Sequence, residues 1–181
     1  MPNRISSPFR LQMSTFVGKK YCYLSPCITY QMELSQKLID YVHSGNGMAM
    51  GTRDASMVPE FQRVLGARVV DGNHILFFFD GPTARHTIRN LEQHPLFSVT
   101  TCSNTFESYQ FKGTAIRWAE ATDEENEMVK QYLKKFNDAM IVFGLRDRLV
   151  YNYPHTKMMT VMMEVTDVFE QTPKTGTGQK V

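Results

Sequence analysis

A chain of 181 residues is long enough for one domain with a proper core, and 42% hydrophobic with 21% charged residues is ordinary globular composition. A net charge of +2 is too small to argue for nucleic acid or an anionic membrane as a partner, and no run approaches the ~18 apolar residues of a transmembrane helix. Cys22, Cys27 and Cys102 form no C-x-x-C pair and no Cys/His set has zinc spacing, so no metal site is expected and the compartment reads as reducing and cytoplasmic.

Residues 1–31 contain no Asp or Glu and carry Arg4, Arg10, Lys19 and Lys20 among Ser, Pro and Tyr. They show neither an amphipathic helix nor a secretory apolar core. They read as an irregular N-terminal arm, or as residues upstream of a natural start at Met32. The main domain then spans 32–172. Glu33 to His43 is an amphipathic helix with Leu34, Leu38, Tyr41 and Val42 on one face. Ser44-Gly45-Asn46-Gly47 ends it. Met48 to Thr52 is extended, and Arg53-Asp54-Ala55-Ser56 is a turn. Phe61 to Val70 reads as one strand, weakened at Gly66, where a bulge or a close ligand approach is expected. Asp71-Gly72 is a hairpin signal.

The stretch from His74 to Thr101 carries the most information. Ile75 to Phe79 is an aromatic, β-branched run suited to a well-buried strand. Asp80-Gly81-Pro82 stops it. Thr83 is placed to cap a helix whose apolar positions are Ala84, Ile88 and Leu91. Pro95 ends that helix, and Phe97 to Thr101 is extended again. Thr83, Arg85, His86 and Thr87 cluster at the helix start, where free N–H groups and the positive dipole end favour an anion. The alternative for that cluster is a solvated first turn.

Phe106 to Trp118 is a long strand with Tyr109, Phe111, Gly113 and Ala115 on one face and Ser108, Gln110, Lys112 and Thr114 on the other. Thr122-Asp123-Glu124-Glu125 is a capping box opening a helix that buries Met128, Val129, Tyr132, Leu133 and Phe136. Asp138 to Leu145 reads as a second short helix, and Tyr153-Pro154-His155 as a break. Met158 to Phe169 is the last strand, with a slip near Asp167. Its methionines read as core and dimer packing rather than a cofactor box. The residues from 173 to 181 read as a flexible tail. Six strands with flanking helices and hairpin turns give an α+β, mainly β fold, with an antiparallel sheet that closing into a barrel would relieve of its edges.

This order of elements resembles the FMN-binding split-barrel superfamily, the pyridoxamine 5′-phosphate oxidase-like proteins. The resemblance runs from about Met32 to Thr172. It is carried by ELSQKLIDYVH, MAMGTRDASMVPEFQRVLGARV, ILFFFDGPTARHTIRNLEQHPLFSVTT and SYQFKGTAIRW, with NLEQHP before a strand the most recognisable part. It implies a six-stranded split barrel that forms a homodimer, with FMN in the groove between subunits. It implies a phosphate grip at Arg85, His86 and Thr87, with Thr83 nearby. The preceding strand, from Arg63 and Val64 to Ala67, would run along the flavin ring, where backbone groups can bond its edge. Gln110 and Lys112 would reach the ring or the ribityl chain from either subunit, and Arg53 would line the substrate side. The helix start reads A-R-H-T where pyridoxamine phosphate oxidases carry S-R-K, with Thr87 about where their Lys stands. Their C-terminal Arg/His motif is absent from VFEQTPKTGTGQ, which argues against vitamin B6 oxidation.

The function implied is an FMN-dependent oxidoreductase acting on a small molecule, with the flavin carrying hydride at N5. That chemistry needs no dedicated acid or base, and the sequence shows no triad or paired carboxylates. The alternative from another class is a flavin- or haem-binding module without turnover, for which His155 or His86 would be the haem ligand. Gln110 needs a partner that a backbone carbonyl would supply as well as flavin does, and Arg63 reads equally as a surface residue or an interface ion pair.

Overall fold

The structure is a computed structural model that describes residues 12–16, 19–23, 32–142, 144 and 157–181. The chain divides into two compact units, Met1–Gln31 and Met32–Val181. In the first, where the sequence suggests an irregular arm, β1 (Gln12–Phe16) and β2 (Lys19–Tyr23) pair antiparallel.

The second unit opens with α1 (Gln36–Val42), capped by Ser35, whose hydroxyl accepts from Leu38 N. Then come β3 (Gly47–Arg53), β4 (Pro59–Val64), β5 (Gly66–Asp71) and β6 (His74–Asp80). After α2 (Arg85–Gln93), β7 (Leu96–Cys102) and β8 (Ser108–Glu120) form a hairpin. The unit ends with α3 (Asp123–Ile141) and β9 (Met158–Glu170). The capping box is present in full: Glu125 N donates to Thr122 Oγ1 at 3.2 Å, and Thr122 N donates to Glu125 Oε2 at 2.8 Å. The expected second helix from Asp138 is instead a continuation of α3 to Ile141, and its remaining residues, like the break at Tyr153-Pro154-His155, lie outside the described residues.

The sheet is antiparallel throughout its described ladders, in the order β4-β3-β7-β8-β9-β6-β5. It has seven strands, not the expected six, because the run from Phe61 to Val70 breaks at Leu65. Before the break, Val64 pairs with Met48 of β3; after it, Gly66 pairs with Phe78 of β6. Leu65 N donates to Phe78 O at 2.7 Å and holds the corner. The two edge strands are thus consecutive in the chain. No ladder joins β4 to β6 among the described residues, although they lie side by side, so the barrel is split rather than closed.

β6 reads as a continuous apolar run because both of its faces are covered. Ile75, Phe77 and Phe79 pack inside the barrel with Met50, Val99, Phe111, Val161 and Met163. Leu76 and Phe78 face the other way, into a second cluster with Leu65, Val129, Leu133 and Met158. The slip expected near Asp167 is real: Lys112 pairs with Asp167 but Gly113 with Val165. Tyr41 fastens α1 to the β7–β8 hairpin. Its hydroxyl donates to Glu107 O at 2.6 Å and accepts from Thr101 Oγ1 at 3.1 Å, and burial pushes the phenol up to about 12.

The last residues return along β9. Lys180 bridges to Phe169, and Val181 N donates to Val168 O. No described helix is long and apolar enough to cross a membrane.

Candidate functional site

The turn after β6 and the start of α2 form the floor of the candidate site. Gly81 fixes the turn: its N–H donates to Lys157 O at 2.8 Å, and a Cβ there would meet that oxygen at 2.7 Å. Thr83 does not cap the helix. Its Oγ1 donates back to Asp80 O at 3.1 Å and accepts from Gln62 Nε2 at 3.3 Å. Ala84 is the N-cap, and it has no side chain to supply a capping bond. The first-turn N–H groups of Arg85, His86 and Thr87 therefore have neither an intrahelical partner nor a side-chain cap.

The expected clamp is divided by the helix. Arg85 and His86 are exposed, whereas Thr87 faces the body of the protein with Asn90 and Leu91. The Thr87 hydroxyl is fully buried and has no hydrogen-bond partner among the described residues. Thr87 is buried as a whole residue, so it offers an anion neither its hydroxyl nor its N–H, and the accessible first-turn N–H groups are those of the exposed Arg85 and His86.

Beside the helix start lies a recess of about 270 Å³ lined by Phe61, Gln62, Arg63, Leu65, Asp80 and Thr83. Arg63 is exposed, and its guanidinium also sits 5.9 Å from the Phe136 ring. Val64 points inward and is 5% exposed, so only its main chain is available to a ligand. Asp80 is buried, and one of its carboxylate oxygens accepts from Thr83 N at 3.3 Å. Gln62 and Asp80 are not singled out by the sequence reading. The signal for Gln62 is its position: it is a polar residue in the inward phase of β4, between the exposed Phe61 and Arg63.

The other candidates lie further off. Arg63, Ala49, Thr100, Gln110 and Phe169 share one row across β4, β3, β7, β8 and β9. Three strand spacings put Gln110 roughly 14 Å from Arg63 on the same outward face. Lys112 is exposed, with its ammonium 4.6 Å from the centre of the Phe169 ring. Arg53 ends β3, where its Nη1 donates to Asp54 O at 3.1 Å. It sits by the far end of α2, since Asn90 donates to Thr52 and Ala55 N to Gln93. Within one chain, then, Arg63 and Thr83 line one recess, with Arg85 and His86 next to Thr83 on the helix start, and Arg53, Gln110 and Lys112 do not line it.

A larger recess, of about 530 Å³, lies between α3 and β5. It mixes Arg68 and Lys135 with Glu124 and Glu127, as the smaller recess mixes Arg63 with Asp80, but it does not touch α2; it is the smaller recess that adjoins the uncapped helix start. No group of metal-ligating side chains occurs among the described residues. His155 lies outside them, and His86 is exposed on the first turn of α2.

No protein-family model matches the chain, and no curated protein matches it. Solved structures do. The chain is similar to the Group A Streptococcus protein HupZ, at 13% identity and a TM-score of 0.50, covering 81% of this chain and 99% of that one. It is also similar to an F420 reductase, at 11% identity and a TM-score of 0.50, covering 75% and 98%. A pyridoxamine 5′-phosphate oxidase-related, FMN-binding protein from Nostoc punctiforme matches at 13% identity and a TM-score of 0.49, covering 82% and 91%. At these identities the likeness is one of fold alone, and HupZ and the F420 reductase carry it.

Proposed function

We propose that this chain binds FMN and acts as an oxidoreductase on a small molecule, with the flavin phosphate at the start of α2. The observation that carries this reading is the uncapped helix start. It offers accessible N–H donors at Arg85 and His86, with the Arg85 side chain exposed beside them and a recess carrying Arg63, Gln62 and Thr83 alongside. A dianionic phosphate suits these donors in number and sign. Bound flavin would supply hydride transfer; the chain would supply placement and hydrogen bonds to the ring edge, and no catalytic acid or base is needed from it.

A second copy completes the site in this reading. The recess of about 270 Å³ falls below the roughly 300–1,000 Å³ that usually encloses a ligand of this size. Gln110 and Lys112 stand too far across the sheet to serve the same protomer's recess, and both face outward, where a partner's site would meet them. The exposed, unpaired thiol of Cys102 fits a reducing, cytoplasmic setting.

An absorption spectrum followed by FMN titration tests the reading, with sedimentation run in parallel. Flavin bands or micromolar uptake are expected, in a dimer. Losing a charge-assisted phosphate contact costs about 1.5–3 kcal/mol, so Arg85→Ala should weaken FMN by roughly 10- to 100-fold. Lys130→Ala, on the exposed side of α3, should leave the affinity unchanged. A colourless protein that takes up no FMN overturns the proposal, and a Soret band would point instead to a haem-binding module.

A further inference from the structure

We infer that His43 is an acid-sensitive clamp on the outer edge of β5, and through β5 on the candidate site. Among the described residues β5 ends the sheet and has a ladder on one side only, with β6. On its open side, Val69 N donates to His43 Nε2 at 3.0 Å. A ring that accepts at Nε2 is neutral and carries its proton on Nδ1; a protonated ring has no lone pair left to accept with. The contact therefore exists in only one protonation state.

His43 also joins other elements. It is the C-cap of α1, with its N–H bonded to Ile39 O and Tyr41 O. Its carbonyl accepts from Lys135 Nζ of α3 at 3.0 Å. One residue thus ties α1, β5 and α3 together. The charged groups around the ring come from all three. Asp40 lies on α1, and Arg68 on β5 lines the same recess. From α3, Lys135, Glu124 and Glu127 line that recess, together with the Tyr132 phenol, which is occupied in donating to Asn46 O. Burial first, then the Lys135 and Arg68 charges, hold the imidazole below its ordinary range, against a smaller pull from Asp40.

In acid the ring becomes a third cation beside Arg68 and Lys135, and it points an N–H at the Val69 N–H. The edge of β5 must then let go. Only Leu65 separates β5 from β4, whose Gln62 and Arg63 line the candidate recess, so opening the edge loosens that wall. The effect on cofactor rests on the flavin reading; the clamp itself does not.

The test is amide-exchange protection of Val69 in the full chain from pH 8 to pH 5, with intrinsic exchange divided out. Protection should fall at least about tenfold, with a midpoint below the ordinary imidazole value of 6.5, while β7 amides keep theirs. His43→Gln supplies an acceptor that does not titrate and should give a flat profile. If that variant does not fold, the ring nitrogen shifts of the unaltered chain decide, because Nε2 must be unprotonated at neutral pH. Unchanged Val69 protection, an acid step that survives in His43→Gln, or a protonated Nε2 at neutral pH overturns the clamp. A chain that takes no FMN but shows the Val69 step refutes only the flavin reading.

Discussion

The buried hydroxyl of Thr87 gives the sharpest check on how the helix start is used. It is fully buried, and no described donor or acceptor meets it. A buried polar group left unpaired costs about 1–3 kcal/mol, whereas an apolar group of the same shape costs nothing of the kind. Thr87→Val keeps the β-branched shape while deleting the hydroxyl. The expected gain is about 1 kcal/mol, which for a chain of this size raises Tm by roughly 2–4 °C. Urea unfolding of the cofactor-free protein should show a higher midpoint at unchanged slope. FMN affinity should stay within about threefold, because this residue is wholly buried and its side chain lies outside the site; a threefold change is only about 0.65 kcal/mol. A loss of more than about 0.5 kcal/mol would refute the reasoning, since it would mean that the hydroxyl already has a partner. A large fall in FMN affinity would instead show that the helix presents its inward face to the ligand.

Two further outcomes concern the scaffold. Gly113→Ala should destabilise by about 3 kcal/mol or more, because its Cβ would stand 2.2 Å from Glu164 O and 2.6 Å from Met163 Cγ where β8 slips against β9. Urea midpoints read that loss as a drop of roughly 1–2 M; a drop under about 0.3 M would show that the strands part freely there. Tyr41 should make stability fall in alkali. Its phenol is held near 12 in the fold against 10.0 when free, so the native state keeps the proton longer. The contribution is whole below pH 10 and is lost as the pH rises towards 12. Tyr41→Phe should flatten that slope without abolishing it, since burial shifts Tyr109 and Tyr132 the same way; an identical slope in the variant would remove Tyr41 from the account.

Local signals in the sequence located most elements. Thr122 and Glu125 specify the α3 start by themselves, and the alternation of Tyr109, Phe111, Gly113 and Ala115 gave the inward face of β8. What stayed hidden depended on distant partners. FQRVLGARVV has no proline or Asp-Gly to mark its break; the chain turns at Leu65 because β3 pairs with one half and β6 with the other. Thr83 looked like a cap because hydroxyls favour that position, but Asp80 and Gln62 engage its hydroxyl first. Gln62 carries a weaker signal, that of a polar residue in an inward phase of β4, which must find a partner. Arg85 and His86 were legible as a helix-start pair, whereas the inward turn of Thr87 required knowing which face of α2 packs on the barrel.

The break in the barrel also explains why polar side chains stand among the walls of the candidate site. Where β4 leaves β6, the two strands lie side by side without a ladder, so their facing main-chain groups need other partners. Side chains supply some of them: Gln62 Nε2 donates to Arg63 O at 3.3 Å, and Thr83 Oγ1 donates to Asp80 O. These residues form the seam next to an uncapped helix start. A ligand entering there meets donors that the fold already needs for its own main chain, with Arg63 and Arg85 adding positive charge at the rim. In this reading the split in the barrel is the reason a binding recess exists at all, and β5, held at its outer edge by His43, is the strand whose fixing keeps that recess in shape.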